Sequence, residues 1–199
     1  MIQQPIHIST SSIGWRNNGS DTTRQVGQSF LTGSAFSLAA ITLYLNQSAS
    51  TAVQNSAFTV SLYQVTTSTS IDTAGNPANG TLLSAQQGTF ASNFSVTGNT
   101  DDSFLTFALD TPISLAANSS YVFMFSFNET RANQTLVLAT QNNSYANGLA
   151  WGSADGVTFS PLNGTVADLT FSLQAVPEPG AVMLAGLGLG LLLWRRRVC

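Results

Sequence analysis

Residues 58–65, Phe-Thr-Val-Ser-Leu-Tyr-Gln-Val, alternate apolar and polar side chains over most of their length. A two-residue period is the signature of a strand with one face buried and the other wet. It returns at residues 41–45 and 104–109, residues 121–127 are denser in apolar side chains, as expected of a strand central to a sandwich, and residues 136–138 and 169–173 are further strand candidates. Weaker strand signals fall at residues 26–30, 82–83, 88–90, 150–151 and 157–159. Clusters of Gly, Asn, Asp, Ser and Pro, such as residues 72–80, 97–102 and 152–156, separate these runs and read as turns. No stretch before residue 180 carries a helical period. The expected fold is therefore an all-β, antiparallel, jelly-roll-like β-sandwich. Twelve Phe and a hydrophobic share of 43% supply a core that disordered chains lack. We place the sandwich over residues 21–175, after an N-terminal segment 1–20 that is expected to be poorly ordered and before a tail, 176–199.

The charges divide at that tail. All six basic residues are arginines, and three of them, Arg195, Arg196 and Arg197, stand among the last five positions. The body keeps Arg16, Arg24 and Arg131 against eight acids, which leaves no basic footprint for a phosphate backbone; no nucleic-acid partner is expected. One histidine, His7, and one cysteine, Cys199, exclude an ordinary His/Cys zinc site and any intrachain disulfide. A Ser-His-Asp triad would have to use His7, near the chain start. A carboxylate pair for glycoside hydrolysis lacks candidates, since Asp101 and Asp102 are adjacent and point apart and Glu129 is the sole Glu of the body. The expectation is a protein that is not an enzyme and holds no cofactor.

Two binding chemistries stay open. Asp72, in a Gly/Asn turn, or Asp101 and Asp102 with Asn99, offer oxygen ligands of the kind that calcium takes, although neither run matches the 12-residue EF-hand loop. Trp15, Tyr145, Trp151 and Tyr63 are aromatic candidates for stacking on sugar rings, with Gln141, Asn142 and Asn143 as hydrogen-bonding neighbours. The bland alternative for both sets is turn formation and core packing. Asn-x-Ser/Thr occurs nine times, at Asn18, Asn46, Asn79, Asn93, Asn118, Asn128, Asn133, Asn142 and Asn163. That triplet accepts a glycan only where the machinery exists; in a chain this rich in Asn, Ser and Thr it reads first as turn and strand composition.

The tail has three abutting parts. Val176, Pro177, Glu178 and Pro179 come first; two prolines keep such a segment extended and outside regular hydrogen bonding. An uncharged apolar run follows over residues 181–194. As a helix it would span about 21 Å, short of a ~30 Å hydrocarbon core. Trp194 suits the membrane interface, and Arg195 to Arg197 would hold that end in the cytoplasm, with the body on the other side. An export signal at the N-terminus would show a basic segment and an apolar run, which residues 1–35 do not. The expectation is a true start upstream of Met1, a signal already removed, or a chain that is not exported.

This order of parts, Val176-Pro177-Glu178-Pro179, short apolar helix, arginine cluster, is similar to the PEP-CTERM sorting signal of exported bacterial proteins. The resemblance covers about 24 residues. It implies recognition, and cleavage near the Pro-Glu-Pro motif, by a membrane-embedded exosortase. The body resembles a choice-of-anchor domain of type R. That resemblance rests on residues 25–30 (Gln-Val-Gly-Gln-Ser-Phe), residues 58–63, the Gly75-Asn76-Pro77 turn before Leu82, and residues 115–121, Leu-Ala-Ala-Asn-Ser-Ser-Tyr. Together the resemblances imply an exported cell-envelope or extracellular-matrix (biofilm) protein with a structural or interaction role. It would be anchored in the membrane by its C-terminal helix before processing, and at the cell surface or outside the cell afterwards. The alternative is a carbohydrate-binding module associated with exopolysaccharide.

Overall fold

In a computed structural model, the structure describes residues 2–3, 11–16, 24–45, 57–89, 94–95, 103–128, 135–142, 145–162 and 167–176. Strands β1 (Ile2–Gln3), β2 (Ser11–Arg16), β3 (Gln25–Leu31), β4 (Phe36–Leu45), β5 (Ala57–Val65), β6 (Thr81–Thr89) and β7 (Phe94–Ser95) form the first half. The second half holds β8 (Ser103–Leu115), β9 (Ser120–Phe127), β10 (Thr135–Asn142), β11 (Ala150–Ser153), β12 (Ser160–Pro161), β13 (Ala167–Leu169) and β14 (Phe171–Ala175). A 3-10 turn, Pro77–Asn79, precedes β6. The strands make two antiparallel sheets. One runs β12-β11-β3-β9-β5-β6; the other is organised around β4, which pairs with β8, β14 and, at one position, β10. β2, within the first twenty residues, pairs along β10 from Ser11–Thr140 to Arg16–Thr135. Among the described residues the fold is all-β, as the alternation predicts.

The core lies between the sheets. Phe30 on β3, Phe58 on β5 and Phe123, Phe125 and Phe127 on β9 meet Phe107 on β8 and Phe171 on β14. Their rings interlock: Phe58 lies edge-on to Phe107 at 5.3 Å between centroids, and Phe123 to Phe171 at 5.4 Å. Edge-to-face contacts of this kind add to the gain from burying the rings.

β9 has its dense sequence because it is buried on both faces. Tyr121, Phe123, Phe125 and Phe127 face the main core. Val122 and Met124 face outward into a second cluster with Val65, Leu149, Trp151 and Phe159. Close backbone approach makes that second layer fit. At Gly27, on β3, a Cβ would stand 2.0 Å from the Phe123 carbonyl oxygen and 2.3 Å from the Met124 sulfur, so the thioether takes the space that any side chain would need.

Two irregularities follow from sequence. Between Ala108 and Ile113 β8 bulges away from β4, which sets four residues ending in Pro112 opposite the single Ala39; a proline has no N–H for the ladder. The run 169–173, which reads as one strand, is split at Thr170. Its N–H donates to the Ala139 carbonyl at 2.9 Å and its carbonyl accepts from the Tyr44 N–H at 3.0 Å, so the chain passes from one neighbour to another there. The signal at residues 157–159 is overturned. Val157 is 72% exposed in a turn, and the strand begins only at Ser160.

Candidate functional site

The feature with the clearest chemical consequence is the C-terminal end of the last described strand. β14 is held along β4 from Phe171–Leu43 to Ala175–Leu38. Val176 adds one more bond, donating its N–H to the Ser37 carbonyl at 2.9 Å. The next residue, Pro177, has no N–H to offer. The Val-Pro-Glu-Pro segment therefore starts at a residue bonded to the sheet and continues with one that cannot donate to it. Pro177, Glu178, Pro179, the apolar run with Trp194, and Arg195 to Arg197 lie outside the described residues. Among the described residues no helix is long and apolar enough to cross a membrane.

At the end of the sandwich beside Val176 two loops cross between the sheets, residues 32–35 and 116–119, and the β5–β6 connection, residues 66–80, lies at the same end, its Ser68 carbonyl accepting from the Ser29 hydroxyl. Thr32, fully buried, locks the two crossing loops together. Its hydroxyl donates to the Ala116 carbonyl at 2.6 Å and accepts from the Ser119 N–H at 3.0 Å, while its own N–H donates to the Ser119 carbonyl at 3.0 Å. Asn118 takes a left-handed conformation, φ 50°, which Asn tolerates better than most residues. The Tyr121 hydroxyl accepts from the Ala116 N–H at 2.9 Å. The Leu-Ala-Ala-Asn-Ser-Ser-Tyr segment is thus a turn closed by its own tyrosine.

The stacking candidates do not assemble on an open face. Trp151 is completely buried in the second cluster, and its indole N–H has no hydrogen-bond partner. Tyr145 packs edge-on against Phe171 at 5.5 Å, and its hydroxyl accepts from the Leu31 N–H at 3.3 Å. Tyr63 packs partly buried against the second cluster. The side chain of Trp15 lies outside the described residues. Trp151 and Tyr145 are core and packing residues, because the sequence puts them under loops that the alternation could not reveal.

The calcium candidates fare similarly. Asp72 is exposed and serves its turn through the backbone, its carbonyl accepting from the Gly75 and Asn76 N–H groups at 3.1 Å each. Asp101 and Asp102 lie outside the described residues, as does His7. No group of three or more His, Cys, Asp or Glu side chains gathers among the described residues. Asp155 is committed to its own loop: the Thr158 and Val157 N–H groups, at 2.7 and 2.8 Å, hold its carboxyl well below the usual carboxylate range.

The polar cluster that sequence reasoning missed is internal. Asp168 on β13 is 2% exposed. It accepts from the Gln28 side-chain amide at 2.9 Å and from the Tyr145 N–H at 3.0 Å, and the Gln28 carbonyl oxygen accepts from the Leu169 N–H at 2.9 Å. This ties β3 of one sheet to β13 of the other and to the loop that carries Tyr145. No single-sequence signal pairs Gln28 with Asp168, since the two stand 140 residues apart.

Burial raises the Tyr145 phenol above its ordinary value, partly opposed by the Leu31 backbone hydrogen bond and reinforced by the Asp168 charge. The fold therefore favours the protonated phenol. Its contribution is fully present below the unfolded value of about 10 and is lost as pH rises through the higher folded value. The thermal midpoint is expected to fall in this alkaline range. Tyr145→Phe should flatten that fall, measured by circular dichroism melts from pH 8 upward. An unchanged profile would count against the assignment.

The family described as the PEP-CTERM protein-sorting motif matches residues 175–197. No curated protein matches the chain. Among solved structures, the chain is similar to the cysteine protease and lectin-like domains of Cwp84, a surface-layer-associated protein of Clostridium difficile. The identity is 10% and the TM-score 0.42, with 81% of this chain and 35% of that one covered. It is also similar to the clostridial cysteine protease Cwp84 after propeptide cleavage, at 13% identity and a TM-score of 0.43, with 83% of this chain and 37% of that one covered. This chain thus spans little more than a third of the length of those proteins. What the comparisons add to the geometry concerns the tail: from Ala175, the last residue of β14, the chain carries a PEP-CTERM protein-sorting motif, the mark of an exosortase-sorted protein exported to the cell envelope.

Proposed function

We propose that this is an exported envelope protein whose β-sandwich is delivered outside the cytoplasmic membrane and released from its tail by an exosortase cutting near Pro177–Glu178–Pro179. In this reading the apolar run 181–194 holds the precursor in the membrane until then, with Arg195 to Arg197 on the cytoplasmic side. The observation that carries the reading is the PEP-CTERM protein-sorting motif at residues 175–197, which follows directly on the body through Ala175, paired with Leu38, and Val176, bonded to Ser37. A processing enzyme needs an extended substrate, and Pro177 and Pro179 have no N–H with which to continue a ladder.

The body then has a structural or interaction role in the envelope or matrix, and no catalytic one. Exopolysaccharide remains a partner to test, but Trp151 and Tyr145 are spoken for by packing and do not supply its stacking surface. The test is terminal mapping of native protein by mass spectrometry. The mature C-terminus is expected at or near Pro179, and Pro177→Ala/Glu178→Gln/Pro179→Ala should leave the full-length chain in the membrane fraction. Intact Arg195 to Arg197 in surface-extracted protein would overturn the reading.

A further inference from the structure

We propose that β6 is an assembly edge, through which two copies of this chain join about a two-fold axis by pairing β6 with β6 antiparallel. This assembly goes beyond the sorting reading above and does not depend on it. β6 ends the six-stranded sheet, and among the described residues no strand pairs with its outer side. Every second residue along such an edge presents an N–H and a carbonyl to whatever extended backbone comes alongside. Natural sheets guard their edges with charge, proline or shortness. The other ends of these two sheets follow that rule. β12 is two residues long and holds Pro161, β1, β7 and β13 have two or three residues each, and β2 carries Arg16. β6 does not follow it: its nine residues, Thr-Leu-Leu-Ser-Ala-Gln-Gln-Gly-Thr, hold no charge and no proline.

A bulge at Leu83 interrupts the strand, since Leu62 faces Ser84 and Tyr63 faces Leu82. From Ser84 to Gly88 the pairing is regular, and Gln86 is pinned from the other sheet, its side-chain oxygen accepting from the Asp110 N–H at 2.7 Å. The occupant follows from symmetry. Residues directly opposite in an antiparallel pair share a face of the sheet, so a strand faces its own copy about one of its residues. Centred on Gln86, the pairing sets Ser84 opposite Gly88 and Ala85 opposite Gln87, with a small residue in each pair and no charge in either. A charged edge would bring like charges together there, which is destabilising. Leu82 and Leu83, 53% and 39% exposed, flank the ladder at both ends and lose wet apolar surface on pairing. The opposing group is Asp110, exposed beside Gln86 in each copy. Its repulsion is screened by salt, so pairing should tighten as salt is added. The product is a closed two-fold dimer with one continuous sheet.

The test is a cross-link that this register selects. Ala85 and Gln87 are both exposed, so Ala85→Cys and Gln87→Cys, each in the full-length chain with Cys199→Ser, are compatible with the fold. Position 85 of one copy then stands opposite position 87 of the other, at the ~4.5–5.5 Å between Cα atoms that a disulfide spans. Two copies of the same position are offset by about 7 Å along the strand. Mixed in mild detergent, left to exchange and then oxidised, the two variants should give a linked dimer holding one of each. It should form about tenfold faster, or more, than links within either variant alone or in Val157→Cys, a more exposed position off the strand. Cross-linking of the mixture no faster than in these controls would overturn the assembly. Ala85→Lys/Gln87→Lys sets like charges across the pair and should weaken association, read by sedimentation equilibrium in the same detergent, by about tenfold or more. Association that these lysines leave unchanged in a variant that melts like the parent would show contact through the tail and overturn it as well. Neither result touches the sorting reading.

Discussion

Phe123→Ala is expected to lower the stability of the sandwich by about 3–5 kcal/mol, the usual range for removing a fully buried ring. Phe123 has no exposed surface. Its ring contacts Phe171 across the core at 5.4 Å and Phe125 and Phe30 within its own sheet at 5.9 and 6.2 Å. Truncation therefore opens a cavity where the two sheets meet, and neither sheet can move in without dragging its pairing partners. For a domain of this size the thermal midpoint should drop by about 10 °C or more. Leu82→Ala is the control, since Leu82 is 53% exposed; its midpoint should stay within about 0.5 kcal/mol of the parent. Equal losses in the two variants would mean that Phe123 does not join the sheets as described.

The second large effect concerns polarity rather than volume. Asp168→Ala should cost about 3 kcal/mol, because it strands the Gln28 amide and the Tyr145 N–H, whose partners at 2.9 and 3.0 Å disappear. Stranded buried donors are costlier than the net value of the bonds they lose. Urea unfolding with an unchanged slope and a lower midpoint is the expected readout. The same variant should move the Tyr145 titration downward, since the Asp168 charge is one of the groups raising it. A stability loss with no change in that titration would separate the carboxylate from the tyrosine.

Most strands were legible because a half-buried antiparallel strand writes its environment as alternation. Residues 58–65 and 121–127 fall almost entirely within β5 and β9. Reading failed where the cause is not local. The signal at residues 82–83 and the first two residues of the signal at 88–90 belong to one edge strand, β6, whose exposed side chains blur the period; Phe90 lies outside the described residues. Val157 mimics a strand residue, yet Asp155 gathers the following N–H groups into a turn. For Trp151 the sequence left packing and sugar stacking both open, because nothing in a linear sequence announces that it joins Met124 and Phe159 in a buried cluster. The site at the tail was legible for the opposite reason: proline chemistry, hydropathy and charge act within a few residues of each other and need no folded partner.

The place of β14 has a mechanical consequence. It lies against β4, which is itself paired to β8, so it belongs to the body of the sheet rather than a loose flap. A load applied through the tail pulls β14 along its own axis. The bonds between residues 171–175 and β4, together with the Val176–Ser37 bond, are then sheared as a set instead of being peeled one at a time. Any surface that holds this protein by its C-terminal end grips it through a strand loaded in shear.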